Sequence, residues 1–293
     1  MQGEGLLNQA GGHDPPIGSR RPRRPGAAET ASSSARTAYD RYAAIYDRAN
    51  ADNDYEMWLG NVLLPELEER GLRTGWALDV GCGTGRAFEP LLRRGWQLVG
   101  CDSSAGMLDE ARRKFGGQVP LHELDARDLP PLHLDDGSSH GSGFQLVLLL
   151  NDVLNYLTEA EDLNRVFAGV ARNLSPAGLA AFDVNTLELF RQDFDPTKVE
   201  QGDGWEWRGL TPDPRPEGIY EARLGGPNVE PHVHRQRHWP PGRIAQALEA
   251  AGLAMLASLG QREAGGRVLL SATPDENRDR KIVYIAKRGE RRP

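Results

Sequence analysis

The chain has 293 residues, 39% of them hydrophobic, which supports one large core or a core with a small appended unit. Its formal net charge of −7 argues against a broad nucleic-acid-binding face, because phosphate contacts need clustered Lys and Arg. Two cysteines, Cys82 and Cys101, make no disulfide framework and no apolar run reaches the roughly 18 residues that span a bilayer, so a cytoplasmic chain without a membrane role is expected.

Residues 1–35 are rich in Gly, Pro, Ser and Arg and show no apolar period. They predict a disordered tail, since such a segment cannot bury enough apolar surface to offset its entropy. Order is expected from about Ala35, where Tyr39, Tyr42 and Tyr46 recur at i, i+3 and i+7 on one helical face. Trp76-Ala-Leu-Asp-Val-Gly-Cys-Gly-Thr-Gly-Arg86 then reads as a buried strand running into a glycine turn and a helix. Gly81, Gly83 and Gly85 permit positive φ and let a ligand approach the backbone with no Cβ in the way. Their G-x-G-x-G spacing, with Arg86 where a further glycine belongs, departs from the dinucleotide fingerprint, and no Gly-Lys-Ser/Thr follows as in a phosphate loop.

The next strand, Gln97-Leu-Val-Gly-Cys-Asp102, ends in an acid about 20 residues beyond the first glycine, where a doubly wound fold holds a ribose diol. The pattern asks for a nucleoside ligand with no phosphate requirement. Ser103-Ser104 supply N-cap residues for the following helix, and Asp125 and Ala126 close a third strand. The polar stretch between Pro130 and Phe144 reads as a solvated insertion. Residues 146–150 form a central strand of a parallel sheet, with Asn151 and Asp152 at the carboxyl end where such folds bind ligands. Thr158-Glu-Ala-Glu161 reads as a capping box opening a helix to about Asn173, and Leu179–Val184 as a fifth strand.

Residues 187–239 change character, with Trp, Pro, Gly and charge in short alternating pieces, and predict an antiparallel insertion covering the site. His232, His234 and His238 share a strand face by even spacing, but Arg235 and Arg237 intervene and carboxylate or thiolate partners are missing, so no zinc site is expected. A helix at 241–251 and strands near 254–260 and 281–287 complete the sheet.

Four ordered segments resemble the motifs of the class I S-adenosylmethionine-dependent methyltransferases. They are Leu78-Asp-Val-Gly-Cys-Gly-Thr-Gly85, Gly100-Cys-Asp-Ser-Ser-Ala-Gly-Met-Leu108, Leu124-Asp-Ala-Arg-Asp-Leu-Pro130 and Phe144-Gln-Leu-Val-Leu-Leu-Leu-Asn-Asp-Val-Leu-Asn-Tyr-Leu157. Many family members have Asp where Gln145 stands. The resemblance implies an α/β fold, a Rossmann-like doubly wound sheet of order 3-2-1-4-5-7-6 with the last strand antiparallel. Residues 36–186 and 240–290 would form the core with its N-terminal helical cap, and 187–239 the antiparallel lid.

S-adenosylmethionine is the cofactor implied. Asp79 would order the turn and the cofactor ammonium, Gly81, Cys82, Gly83 and Gly85 would admit it close to the backbone, and Asp102 would accept both ribose hydroxyls. Ser103 and Asn151 join this set. Met107 would pack on the adenine, Asp125 and Ala126 would meet its amino edge, and Tyr46 and Trp58 are the contacts carried over for the methionine end. An aromatic face beside a sulfonium is physically sensible. Asp152, Asp183 and Asn185 could evoke cation-dependent relatives, but the adjacent Asp-Asn pair of those enzymes is absent, and no metal is expected.

Methyl transfer from a sulfonium is an in-line substitution that needs positioning and, for a protic acceptor, proton removal. Tyr39, Asp152, Tyr156 and His238 are the candidates for that work. The expected activity is methylation of nitrogen, by preference over oxygen, in a small molecule such as a natural-product intermediate, by a monomer or homodimer that binds neither nucleic acid nor membrane. The alternatives are an RNA or protein methyltransferase and a non-catalytic S-adenosylmethionine-binding protein.

Overall fold

The structure, a computed structural model, describes residues 27–133, 143–227, 229–264 and 267–289. Its main sheet alternates with helices along the chain. The strands are β1 (Trp76–Val80), β2 (Gln97–Asp102), β3 (Leu121–Glu123), β4 (Phe144–Leu149), β5 (Leu174–Asn185), β10 (Leu253–Ala264), β11 (Arg267–Ser271) and β12 (Lys281–Arg288). The helices are α1 (Ala27–Ala49), α2 (Leu64–Glu69), α3 (Phe88–Leu92), α4 (Ala105–Phe115), α5 (Ala160–Asn173), α6 (Leu187–Asp193) and α7 (Pro241–Ala250). A second sheet is formed by β6 (Val199–Gly202), β7 (Trp205–Gly209), β8 (Ile219–Gly226) and β9 (Val229–Arg237).

In the main sheet the spatial order is β11-β10-β12-β5-β4-β1-β2-β3. The strands β1 to β5 run parallel, and β12 is antiparallel to β5. This is the expected 3-2-1-4-5-7-6 order with one strand added, because β10 folds back at its end and pairs with β11. Register brings the carboxyl ends together, with Asp79 of β1 opposite Gly100 of β2 and Leu148 of β4.

The near-continuous apolar run of β4 makes sense in this place. Side chains alternate across a strand, so Val147 and Leu149 enter one core layer with Phe167 of α5, Phe182 of β5 and Trp239. Leu146 and Leu148 enter the other with Leu59, Leu63, Phe88 and Leu91. A smaller cluster joins Tyr42 and Ile45 of α1, Met107 of α4, and Leu224 and Val229 of the second sheet. Helix α1 is thus gripped between the core and the antiparallel unit. Asp40 locks one side of this grip, its Oδ1 accepting from Ser104 Oγ at 2.6 Å and Gly106 N at 2.9 Å.

Three local expectations change. Helix α1 begins at Ala27, so residues 27–35 belong to it and not to a tail, while residues 1–26 lie outside the described residues. The capping box at Thr158 does not form: α5 starts at Ala160, and Glu159 at the N-cap makes no side-chain hydrogen bond. Part of the insertion after Pro130 also lies outside the described residues. Among those described, no helix is long and apolar enough to cross a membrane.

Phe182 is fully buried and stacks on Tyr284 at 5.2 Å while meeting Phe167 at 5.0 Å. Phe182→Ala is expected to cost about 3–5 kcal/mol through lost transfer energy and the cavity left behind, measured by urea unfolding.

Candidate active site

The glycine turn after β1 is built by positive φ at Gly81 (74°), Gly83 (54°) and Gly85 (77°). Gly81 N and Cys82 N both donate to Cys101 O, at 2.7 and 3.0 Å, which ties the turn to β2. The Asp102 carboxylate finishes the tie, with Oδ2 accepting from Gly83 N and Oδ1 from Ser104 N, each at 2.8 Å. Burial pushes the Asp102 carboxyl up, and these backbone N–H groups pull it the other way.

The three glycines serve different ends. A Cβ at Gly81 would meet Val153 at 2.5 Å, and one at Gly83 would project into open space. One at Gly85 would strike Phe88 at 2.7 Å and Phe115 at 2.9 Å. Gly81 and Gly83 border a cavity, whereas Gly85 lets the turn close on Phe88 of α3 and Phe115 of α4. The expected cofactor role for Gly85 is therefore replaced by packing.

That cavity collects most of the predicted residues. Cys82 lines it from the turn; Asp102, Ser103 and Met107 line it from β2 and α4; Asp125 and Ala126 line it from the loop after β3. Asp125 also accepts from Arg127 N at 2.9 Å and pairs with the Arg127 guanidinium at 2.7 Å. Tyr39 and Tyr46 of α1, Asn151 and Tyr156 complete the wall. Asp79 is 3% exposed and does not line the cavity; burial, with the Asp102 carboxylate adding to it, pushes its carboxyl up to about 7.

Beyond β4 the chain turns through two left-handed residues, Asn151 (φ 62°) and Asp152 (φ 74°). Such backbone persists only when its surroundings hold it. Asp183 of β5 accepts from Asn151 N at 2.8 Å and Asp152 N at 3.1 Å. Lys281 Nζ of β12 donates to Asp152 Oδ1 at 2.7 Å, and to Asp183 Oδ1 and Asn151 Oδ1 at 3.3 Å. Asn151 is left with its Nδ2 on the Tyr46 hydroxyl at 3.1 Å. Burial opposes the Asp152 charge, but Lys281 outweighs it and keeps the carboxyl below its ordinary value. The Asp152 carboxylate is engaged by Lys281 and by Gln236 Nε2 at 3.3 Å and does not line the cavity. Asp152, one of the four candidates for positioning or proton removal, is placed here as an anchor for the turn, away from the cavity lining.

Two other expectations are corrected. Trp58 lies behind the wall, in the apolar layer of Leu59 and Phe88, and its indole N–H donates to Gln261 Oε1 at 2.7 Å. Tyr55 lines the cavity in its stead. Trp58 is carried over from the family resemblance, and here a π-type helix over Glu56–Leu63 turns it into the apolar layer. His238 is 1% exposed, with Nε2 2.7 Å from Glu276 Oε2 and Nδ1 accepting from Glu217 N at 3.3 Å. It joins β9 to the segment before β12, outside the cavity lining.

Sequence reasoning missed Tyr55, Arg86, Lys281 and the particular part of His234. Arg86 lines the cavity, places its guanidinium 5.1 Å from the Tyr55 ring centroid, donates to Asn53 O, and leaves buried Nη1 without a partner. A cation ending a glycine turn was its only signal. His234 bonds the Tyr156 hydroxyl at 2.8 Å and meets the Tyr39 ring at 5.5 Å. None of the residues lining the cavity comes from 187–239, so the antiparallel unit backs the tyrosine wall and does not form it. His232 Nε2 and His234 Nε2 face each other at 3.0 Å, within hydrogen-bond distance; among the described residues no three or more of His, Cys, Asp and Glu come together as a metal site would need.

A methyltransferase domain family model matches residues 77–178. YqeM of Bacillus subtilis (strain 168), a methyltransferase by its given name only, is 27% identical over 222 residues, spanning 73% of this chain and 85% of its own. The dTDP-4-amino-2,3,4,6-tetradeoxy-D-glucose N,N-dimethyltransferase of Saccharopolyspora spinosa is 29% identical over 48% of this chain and 53% of its own. In fold, the crystal structure of an S-adenosylmethionine-dependent methyltransferase from Clostridium acetobutylicum ATCC 824 superposes with a TM-score of 0.66 at 24% identity, covering 86% of this chain and 99% of that one.

Lys281→Met should destabilise the protein by about 3–5 kcal/mol, because it strands the buried Asp183 carboxylate and the half-buried one of Asp152, as read by urea unfolding. Asp79 gives a pH signature. Its carboxyl is raised from 3.8 to about 7 on folding, so between those values only the unfolded chain ionises and stability falls as pH rises. Asp79→Asn should therefore unfold at a higher temperature than the parent above pH 7, with the difference vanishing below about pH 4 and bounded by roughly 4 kcal/mol.

Proposed function

We propose that this chain, which belongs to the class I S-adenosylmethionine-dependent methyltransferases, methylates a small molecule, at nitrogen in preference to oxygen. The observation that carries the reading is a single cavity lined both by Asp102, Met107 and Asp125 and by Tyr39, Tyr46 and Tyr156. The first group suits a nucleoside and the second suits a cation and its reaction partner.

The residues present fit S-adenosylmethionine. Gly83 leaves open space where a Cβ would stand, and the orphaned Arg86 Nη1 offers a donor to a carboxylate. Asp102 would hold the ribose hydroxyls, with Ser103 beside it; Met107 would pack on the adenine, and Asp125 with the Ala126 amide would meet its edge. Gly81, Cys82, Asn151, Tyr46 and Tyr55 would surround the methionine end, with Asp79 balancing its ammonium from behind the turn. The bound cofactor supplies an electrophilic methyl group on a sulfonium. Aromatic faces around a cation favour that charge by about 0.5–2 kcal/mol.

Nitrogen is favoured by what the tyrosines lack. An alcohol needs a base at its proton during attack, whereas a neutral amine attacks through its lone pair and releases a proton afterwards. Burial raises Tyr39 and Tyr156 far from ionisation and holds Tyr46 at about 12. The carboxylates lining the cavity, Asp102, Asp125 and Asp162, are already bonded to backbone N–H groups or paired with arginine. The likeness to an amino-sugar N,N-dimethyltransferase supports the same choice. The unit at 187–239 would act on acceptor choice indirectly, by setting the tyrosines from behind.

Titration calorimetry should show S-adenosylmethionine binding, weakened about 10- to 100-fold in Asp102→Ala by loss of hydrogen bonds to a charged group. Undiminished binding by that variant would overturn the cofactor assignment. Mass gain of one methyl on amines, and not on their hydroxyl analogues, is the expected acceptor result.

A further inference from the structure

Behind the cavity wall, β9 carries a series of contacts that methyl transfer as described leaves unused. The Tyr156 hydroxyl lies 2.8 Å from His234 Nδ1. His234 Nε2 lies 3.0 Å from His232 Nε2, and His232 Nδ1 lies 2.9 Å from the Glu230 carbonyl oxygen. The last contact sets all the others. A carbonyl oxygen only accepts, so His232 carries its proton on Nδ1. In the neutral ring Nε2 is then bare and accepts, which puts the His234 proton on Nε2 and leaves His234 Nδ1 bare. Tyr156 must therefore donate its hydroxyl hydrogen to His234. Every bond in the series points the same way, from a tyrosine at the cavity to a histidine at the surface: His234 is 3% exposed and His232 is partly exposed.

We propose that Tyr156, His234 and His232 form a route that carries the acceptor's proton from the cavity to solvent at β9. The inference rests on the methyl-transfer reading. A methylated amine forms as an ammonium, and its N–H bond breaks as the proton joins the Tyr156 oxygen. The Tyr156 hydroxyl hydrogen passes to His234 Nδ1, and the His234 Nε2 hydrogen passes to His232 Nε2. His232, now an imidazolium, yields one proton to water. One proton enters at the acceptor and one leaves at the surface, so no charge stays buried; reorientation of the hydroxyl and the rings restores the starting tautomers.

The surroundings suit passage of charge and not its storage. His234 is faced by Tyr39 and Tyr42 from α1, Trp207 from β7, Tyr156 and His232. Burial, then His232, holds the ring down at about 3, with Asp152 opposing. Burial also lowers His232, with Arg41 adding to it and Glu230 opposing. Rings so hard to charge are neutral at pH 7 and pass a proton on.

Two measurements on the full chain test the route. With 15N-labelled histidine, His232→Gln and His234→Gln assign the two rings among the seven histidines. The expected state at pH 7 is His232 protonated on Nδ1 and His234 on Nε2, both neutral, with Tyr156→Phe shifting the His234 Nδ1 resonance towards that of a free imine nitrogen. A His234 ring protonated on Nδ1, or charged at pH 7, overturns the proposal. The second measurement uses dTDP-4-amino-2,3,4,6-tetradeoxy-D-glucose as acceptor probe. His234→Phe should lower kcat about 100-fold with both KM values kept, and the smaller loss in His232→Ala should be restored by added imidazole. Parent-like kcat in His234→Phe overturns the route. If the parent itself leaves the probe unmethylated, this amine is excluded as the acceptor while the tautomers still decide the route.

Discussion

At the carboxyl edge of the sheet, Lys281 sets one positive charge among Asp152, Asp183 and the Asn151 side chain, and that buried pairing holds a turn the backbone would not adopt alone. Two consecutive non-glycine residues with positive φ are costly. They are held because Asp183 takes both of their N–H groups while Lys281 neutralises the carboxylates. The consequence is positional: Asn151 faces Tyr46, and Val153 and Tyr156 follow on the cavity wall. The charge is internal to the scaffold and leaves the reacting face to neutral hydroxyls and aromatic rings.

The same economy governs how α1 and the antiparallel unit cooperate. Helix α1 carries Tyr39 and Tyr46 into the cavity and is docked on the core through Asp40 and on the second sheet through Tyr42, Leu224 and Val229. Its position therefore depends on both units at once. His234 and Trp207 pack behind Tyr39 and Tyr156, so changes on β9 reach the cavity by way of ring packing and hydrogen-bond direction. Acceptor preference can in this way be tuned by residues that never touch the acceptor.

Much of the fold was legible in the chain because its signals are local. The glycine turn, the acid ending β2 and the apolar run of β4 each declare their role within a few residues, since φ and burial act over that range. Asp102, Asp125 and Asn151 were placed by the strand ends at which they stand, and Met107 of α4 by the family resemblance. Trp58 and Tyr55 show where resemblance stops: Trp58 is carried over from the family, but the π-type helix over Glu56–Leu63 buries it and leaves Tyr55 on the cavity, and no local signal marks that helix. His238 and His234 differ for another reason. Their spacing on the chain is even, but β9 ends at Arg237, and the residue beyond it turns to Glu276 while His234 meets Tyr156.

By itself, then, the sequence determined the buried strands, the glycine turn and the acid that ends β2, because periodicity and turn chemistry are properties of short segments, while the order of the sheet came with the family resemblance. Tertiary structure decided which charges cancel and which remain available. Asp152 became an anchor only when β12 brought Lys281 across from 129 residues away, and Tyr156 met His234 only when β9 set two histidines in line with the Glu230 carbonyl. Partner and protonation state depend on distance in space, and distance in space is what a folded chain adds.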